Sequence, residues 1–463
     1  MFKLRDYQLD LVDRVWAQLG SDSAVLAQLP TGGGKTACQA ELARRLFRFG
    51  GKVLAAVHRV EVLHQMAAAF EYHIGITPQL VVAGSRPDWN APVILGMNQT
   101  LVRRIDSLPG DIRLLIQDEA HHSTSRTYRK LFDALNCNVS GWSATPERLD
   151  GSALSDVFDC LVLGPSVKQL TAWGFLCPYR YHSLDVGMTT RGVKVRNGDY
   201  DARGLARANK ATAIAAEVVK NYRAHANGLQ TVVFAINVAH SQQIAWSLAE
   251  AGINAVHVDG NTPAAERAQA IADFKAGRVQ VLCNCELFGE GVDIPAVEAV
   301  VLARPTQSLT IFLQQVGRCL RPFPGKDYAV ILDLAPNCAT HGFPDDHRAW
   351  KFDGEVKEPG PGRFFGLEER AYTPRDTSEG NATITEVARS DINPDHPWAE
   401  TINRLLYRQQ LLGYKRGWLG YGLAEDPVAS LDLSAWELLG QYLGYKPGWA
   451  WHKWHETRSR SAA

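Results

Sequence analysis

What most limits the fold of this chain is the run Thr31-Gly32-Gly33-Gly34-Lys35-Thr36. It is set between an apolar stretch, Ala24 to Leu29, and a segment with helical spacing, Ala37 to Phe49. The apolar stretch is long enough for a buried strand. Residues without a Cβ can take left-handed backbone angles, so the glycines can turn successive N–H groups toward one anion. The following helix points its N-terminus at the same place. Lys35 would reach the β- and γ-phosphates of a nucleotide, and the Thr36 hydroxyl would ligate Mg²⁺. This order of elements predicts a phosphate cradle, with ATP and Mg²⁺ as its ligands. The P-loop pattern has Gly or Ala at its first position, where this chain has Leu29.

At 463 residues the chain has room for about three domains. Its formal net charge is zero. That argues against a grossly basic nucleic-acid coat but leaves room for a local basic groove. Eight cysteines are scattered without a Cys-x-x-Cys pair, and Cys283 and Cys285 suit a strand better than a zinc site. Reduced, buried thiols and a cytoplasmic location are expected. No charged-then-apolar leader opens the chain, and no apolar run approaches the ~18 residues of a membrane span, so no membrane partner is expected.

A second apolar run, Ile112 to Gln117, ends in Asp118-Glu119-Ala120-His121-His122. A strand ending in an acid pair, downstream of a P-loop, is a Walker B arrangement. Asp118 would hold Mg²⁺, directly or through water. Glu119 would orient and deprotonate the water that attacks the γ-phosphate.

Further stretches follow in a fixed order: LRDYQLDLV from Leu4, VHRVEVLHQ from Val57, GMNQTL from Gly96 and SATP from Ser143. Then come VVFAINVAHSQQIA from Val232, ELFGEGVDIP from Glu286 and QQVGRCLR from Gln314. With the DEAH tetrad, this series resembles the motifs of superfamily 2 helicases over residues 1 to 335. It is most similar to the bacterial and prophage DEAD/DEAH-box type related to XPB and to type III restriction subunits. The resemblance implies two RecA-like lobes with ATP between them, and DNA as partner, single-stranded or duplex, with RNA possible. Protein partners are not legible.

The resemblance also implies roles. Gln8 would pair with adenine, with Arg5 nearby. Gly291 and Asp293 would contact ribose and relay closure. Arg59 and Thr100 would touch the nucleic-acid backbone, which carries no base information. Ser308 to Leu320 reads as a helix, so Arg318 and Arg321, three apart, would share a face. Two guanidinium groups there would clamp the developing phosphoryl charge as an arginine finger, with Gln314 one turn earlier positioning the water. Family members often carry Arg where this chain has Gln315.

The fold class expected is α/β: two RecA-like parallel-sheet lobes with a small, mainly helical Trp-rich C-terminal region. The segments read as lobe 1 (1–165), a connection (166–207, including TTRGVKVRNGDYDARG) and lobe 2 (208–335). An irregular acidic, Pro- and Gly-rich stretch (336–397) and the helical tail (398–463) follow. The tail repeats Gly-Tyr-Lys-x-Gly-Trp 31 residues apart, from Gly413 and Gly444. Trp418, Lys446 and Trp449 in it are candidates to stack on bases and contact phosphates. The four-cysteine zinc ribbon of many relatives is absent. Pro344 to Lys357 holds the letters of a metal-dependent nuclease site but no apolar strand to carry them, and is read as chance.

Together these readings predict a nucleic-acid-dependent ATPase that moves along or unwinds DNA. A non-unwinding motor subunit of a restriction or defence complex and an ATP-switched clamp are the competing readings.

Overall fold

The computed structural model describes residues 4–20, 24–123, 126–147, 154–184, 188–196, 198–285, 287, 297–335 and 337–350. It also describes residue 352, the stretches 355–357, 384–386 and 433–443, and residues 402 and 450. The first sheet is built from β1 (Ala24–Gln28), β2 (Lys52–Val57), β3 (Gln79–Val81), β4 (Val93–Met97), β5 (Ile112–Asp118), β6 (Asn138–Ser143) and β7 (Cys160–Leu163). The second holds β8 (Tyr179–Leu184), β11 (Thr231–Ala235), β12 (Ala255–Val258), β13 (Val281–Asn284), β14 (Ala299–Ala303) and β15 (Ala329–Asp333). A hairpin of β9 (Val195–Arg196) and β10 (Asp199–Tyr200) lies between them in the chain, and β16 (Glu355–Lys357) and β17 (Ile384–Glu386) come last. The strand orders are β16-β7-β1-β6-β5-β2-β4-β3 and β12-β13-β11-β14-β15-β8-β17. Every pairing in the two sheets is parallel except β17 with β8. These are two doubly covered α/β sheets, the RecA-like pair that the helicase resemblance implied.

Parallel strands joined by helical crossovers are buried on both faces, so they read as continuous apolar runs. β1 is an instance: Val25 and Ala27 pack into one core, Ala24 and Leu26 into the other. The helices that matter for the site are α1 (Asp6–Gln18), α2 (Lys35–Arg48), α3 (Val60–Ile74) and α4 (Asn98–Arg103).

Three expectations need correction. The helix read over Ser308 to Leu320 spans only Leu309–Val316; Ser308 caps it, its Oγ accepting from Ile311 N at 3.1 Å, and residues 317–320 are turn. Arg318 and Arg321 therefore leave from a turn rather than sharing a helix face. The stretch 166–207 is more than a connection, because β8 lies inside the second sheet beside β15. Nor is 336–397 wholly irregular: Trp350 and Phe352 pack against the first sheet's core, and β16 adds a parallel strand to β7. Pro344 to Lys357 thus has strand support, gained by borrowing an existing sheet edge, which its own composition does not announce.

In the tail, Leu433–Leu443 is helical, with Ala435, Trp436 and Leu439 buried. The Gly-Tyr-Lys-x-Gly-Trp copies, with Trp418, Lys446 and Trp449, lie outside the described residues, as do Gly291 and Asp293. None of the eight cysteines is in a disulfide. Among the described residues, no helix is long and apolar enough to cross a membrane, and no group of three or more His, Cys, Asp or Glu could hold a metal ion.

Candidate active site

β1 hands over to α2 through the glycine loop. Gly32 and Gly34 sit at φ 86° and 87°, conformations that side-chain-bearing residues rarely adopt. Gly34 occupies the helix N-cap with no side-chain cap, so the first N–H groups of α2 stay open toward the loop. Leu29, at the unusual first position, is fully buried. Its Cγ lies 2.8 Å from where a Cβ on Gly33 would stand, so it supports the loop from beneath. From α1, Tyr7 Oη and Gln8 Nε2 both donate to Gly33 O, at 2.8 and 3.0 Å. Gln8 Oε1 accepts from Arg5 N at 3.0 Å. Both ends of that amide are thus engaged by the protein, beneath the loop. The Arg5 guanidinium lies over the Phe175 ring, 4.6 Å from its centroid.

β5 delivers the acid pair to the same place. Asp118 and Glu119 are both buried. Burial, and then the neighbouring Glu119 charge, push the Asp118 carboxyl above its usual range; Lys35 and a hydrogen bond from Gln39 oppose this. Gln39 Nε2 donates to Asp118 Oδ1 at 2.9 Å. Glu119 sits at φ 45°, the single non-glycine residue with positive φ among those described. Such a backbone costs on the order of 1–3 kcal/mol and persists where its surroundings enforce it. His121 Nδ1 lies 3.4 Å from Glu119 Oε2 and 3.1 Å from Ser143 Oγ. Ser143 Oγ in turn donates to Thr145 O at 2.8 Å, and Thr145 Oγ1 meets Thr310 Oγ1 of the second lobe, also at 2.8 Å.

The second lobe closes over this floor. Gln314 Nε2 donates to Glu119 Oε2 at 3.4 Å, while Gln314 Oε1 is buried with no protein partner. Gly317 approaches so closely that a Cβ there would fall 2.5 Å from Thr31 Cβ. Thr31, Gly32, Gly34, Lys35, Thr36, Asp118, Glu119, Gln314, Arg318 and Arg321 line one cavity of about 290 Å³. Burial lowers the Arg321 pKa from its ordinary value.

Comparisons with known proteins identify the family. Residues 1–148 match the family model "Type III restriction enzyme, res subunit", and residues 210–322 match "Helicase conserved C-terminal domain". A 51.5 kDa protein of a Lactococcus phage is 36% identical over 341 residues, 72% of this chain and 71% of that protein. The chain belongs to the superfamily 2 helicase-like proteins. The putative ATP-dependent helicase IRC3 of Saccharomyces cerevisiae is 31% identical over 72% of this chain, which spans about half (51%) of that protein's length. A fragment of a putative type I restriction HsdR subunit from Vibrio vulnificus shares the fold, with TM-score 0.58 at 21% identity. That likeness covers 76% of this chain and 68% of the fragment.

In this superfamily 2 protein the nucleic-acid candidates Arg59 and Thr100 do not line the cavity. Arg59 stands at the N-cap position of α3 with no side-chain cap bond, and its Nη1 donates instead to Leu287 O of the second lobe at 3.1 Å. Thr100 is half-buried in α4. Two residues of the site escaped the sequence reading. Gln39 is four residues after Lys35 on α2; that spacing puts it on the same helix face and could have flagged it. Lys326 Nζ donates to Val297 O at 2.8 Å and to Arg321 O at 3.0 Å, and also reaches Cys319 O. It staples the turn that presents both arginines, and no local pattern marks it.

A divalent cation fits here. A carboxylate held above its usual range by burial and then by a second acid would be relieved by a metal, and the Thr36 hydroxyl completes a sparse, oxygen-only set of the kind Mg²⁺ accepts.

Proposed function

We propose that this chain is a nucleic-acid-stimulated ATPase that couples hydrolysis between its two lobes to movement on, or unwinding of, DNA. RNA is the less favoured substrate. The observation that carries the reading is the junction of Gln314 with Glu119, in a cavity that also holds the glycine loop and both arginines. Neither lobe alone supplies a complete set.

In this reading the open N–H groups at the start of α2 and Lys35 bind the phosphates of ATP, and Thr36 and Asp118 would hold Mg²⁺, which would neutralise phosphate charge. Glu119 accepts the proton of the attacking water, and the orphaned Gln314 Oε1 accepts that water's second hydrogen bond. Arg318 and Arg321 meet the charge that develops on the transferred phosphoryl group. Gln8 keeps the glycine loop in register, and its amide must exchange partners if it is to read adenine. Closing the cleft on ATP and opening it after hydrolysis converts each turnover into a relative motion of the lobes. Arg59, seated at the seam between the lobes, and Thr100 are proposed to follow the backbone of the bound strand.

ATPase titrations with single- and double-stranded DNA and RNA test this. DNA is expected to raise turnover; a rate unchanged by every nucleic acid refutes it. The match to a restriction-subunit family and the fold shared with an HsdR fragment favour, as a second reading, a motor that translocates without separating strands. Strand-displacement assays under conditions of full ATP turnover separate the two.

A further inference from the structure

The stretch from Thr189 to Lys210 has no part in the cavity, yet it folds as a defined unit. It consists of the β9–β10 hairpin followed by α7 (Ala202–Ala208). Met188 and Leu205 pack with Ile236 and Ala335, which lie just past the C-terminal ends of β11 and β15. The unit therefore sits on the carboxyl rim of the second sheet, where ligands of open parallel sheets bind.

Its two acids are both engaged. Asp199 is buried, with Arg304 Nη2 donating to Oδ2 at 2.8 Å and Gln307 N donating to Oδ1 at 2.7 Å. Asp201 caps α7 by accepting from Gly204 N at 2.8 Å. Six cations are exposed, Arg191, Lys194, Arg196, Arg203, Arg207 and Lys210; the Arg196 side chain is 70% exposed, with its Nε 3.8 Å from Asp201 Oδ1. The unit thus exposes six positive charges, one of them paired with Asp201, in a chain whose net charge is zero. Like charges this dense repel one another, and a polyanion relieves that repulsion by counterion release. The single strongly exposed apolar side chain on the hairpin is Val195, too little to anchor an acidic protein segment.

The anchoring is as informative as the charge. Arg304 to Gln307 form the loop that leaves β14 and enters, through Ser308, the helix bearing Gln314. Gln307 Nε2 also donates to Tyr200 Oη. A load on the hairpin is thereby passed to the helix that contacts Glu119.

We infer that residues 189–210 form a phosphate-backbone contact for nucleic acid, coupled through the Asp199–Arg304 pair to the helix that carries Gln314. This rests on the proposed function.

The test uses the full chain and a fluorescent mixed-sequence DNA duplex, with binding measured across a salt series. The variant K194A/R196A/R203A/R207A should reduce the magnitude of the slope of log K against log[salt] by up to about 3.6, near 0.9 per lost phosphate contact, and weaken low-salt binding more than ~10-fold. Replacing Arg196, Arg203 and Arg207 by lysine should leave the slope near wild type. Asp199→Asn keeps the outer charge, so it should bind DNA as well as wild type while losing several-fold of the DNA-stimulated rate. A fourfold variant with unchanged slope and affinity, beside a wild type that binds DNA, overturns the inference alone. A fully stimulated Asp199→Asn overturns the coupling. A wild type that binds no DNA overturns this inference and the proposed function together.

Discussion

The two lobes share an architecture and part company at one junction. In the first, the strand flanked by β6 and β7 enters its helix through a loop with two left-handed glycines, and no side chain caps the helix. In the second, the strand flanked by β13 and β14 enters α9 (Val238–Glu250) through Ile236 and Asn237, and Asn237 Oδ1 accepts from His240 N at 2.8 Å. One helix N-terminus is left open; the other is closed by its own chain. The fold supplies the junction twice, and the residues at the junction decide whether an anion can bind there. The second lobe contributes instead from the far side, through Gln314, Arg318 and Arg321.

That division of labour can be broken one residue at a time. Arg318→Ala carries the largest expected effect: turnover should fall about 10³-fold with nucleotide affinity nearly intact, read by steady-state ATPase and fluorescent-nucleotide titration. A loss confined to affinity would contradict a transition-state role for the second lobe. Glu119→Gln should lower turnover on the order of 10²-fold and preserve ATP binding, because the acceptor for the water's proton is weakened. Persistent turnover would move the base elsewhere.

Gly34→Ala attacks the open junction itself. The φ of 87° and a Cβ that would stand 2.3 Å from Gln8 Nε2 both oppose it. Roughly 1–3 kcal/mol of stability should be lost in a denaturant melt, together with nucleotide binding.

Asp118→Asn should separate stability from function. Burial and Glu119 raise the Asp118 pKa, so the folded chain holds that proton more tightly than the unfolded one, and the wild type loses stability as pH rises past the ordinary carboxylate range. The amide removes the penalty. The nucleotide-free variant should be more stable than wild type near neutral pH in a denaturant melt, with a flatter pH dependence, and should not turn over. The smallest effect belongs to Asn237→Ala, which should cost about 1 kcal/mol in thermal melts through the lost cap and leave the ATPase rate alone. A large catalytic defect there would erase the contrast between the lobes.

The open junction was the most legible part of the chain, because glycine, lysine and threonine in that order serve a purpose that local chemistry alone explains. The parallel sheets were legible for a similar reason, since strands buried on both faces read as unbroken apolar runs. What escaped the sequence depends on distant partners. The helix read to Leu320 stops at Val316 although its residues could continue it, because Gly317 must meet Thr31 and Lys326 takes the carbonyls of the turn. β8 and β16 are strands only because β15 and β7 offer them an edge. Glu119's left-handed backbone has no signature in its residue type, since glutamate rarely adopts it.

The return of residues 355–357 to β7 has a mechanical corollary. The later lobe is moored to the earlier one at both of its ends, by the chain entering β8 and by the chain leaving β15 for the opposite sheet. The chain crosses a third time between β16 and β17, so three backbone links join the two sheets. Ties of this kind limit how far the two sheets can separate, which keeps Gln314 within reach of Glu119.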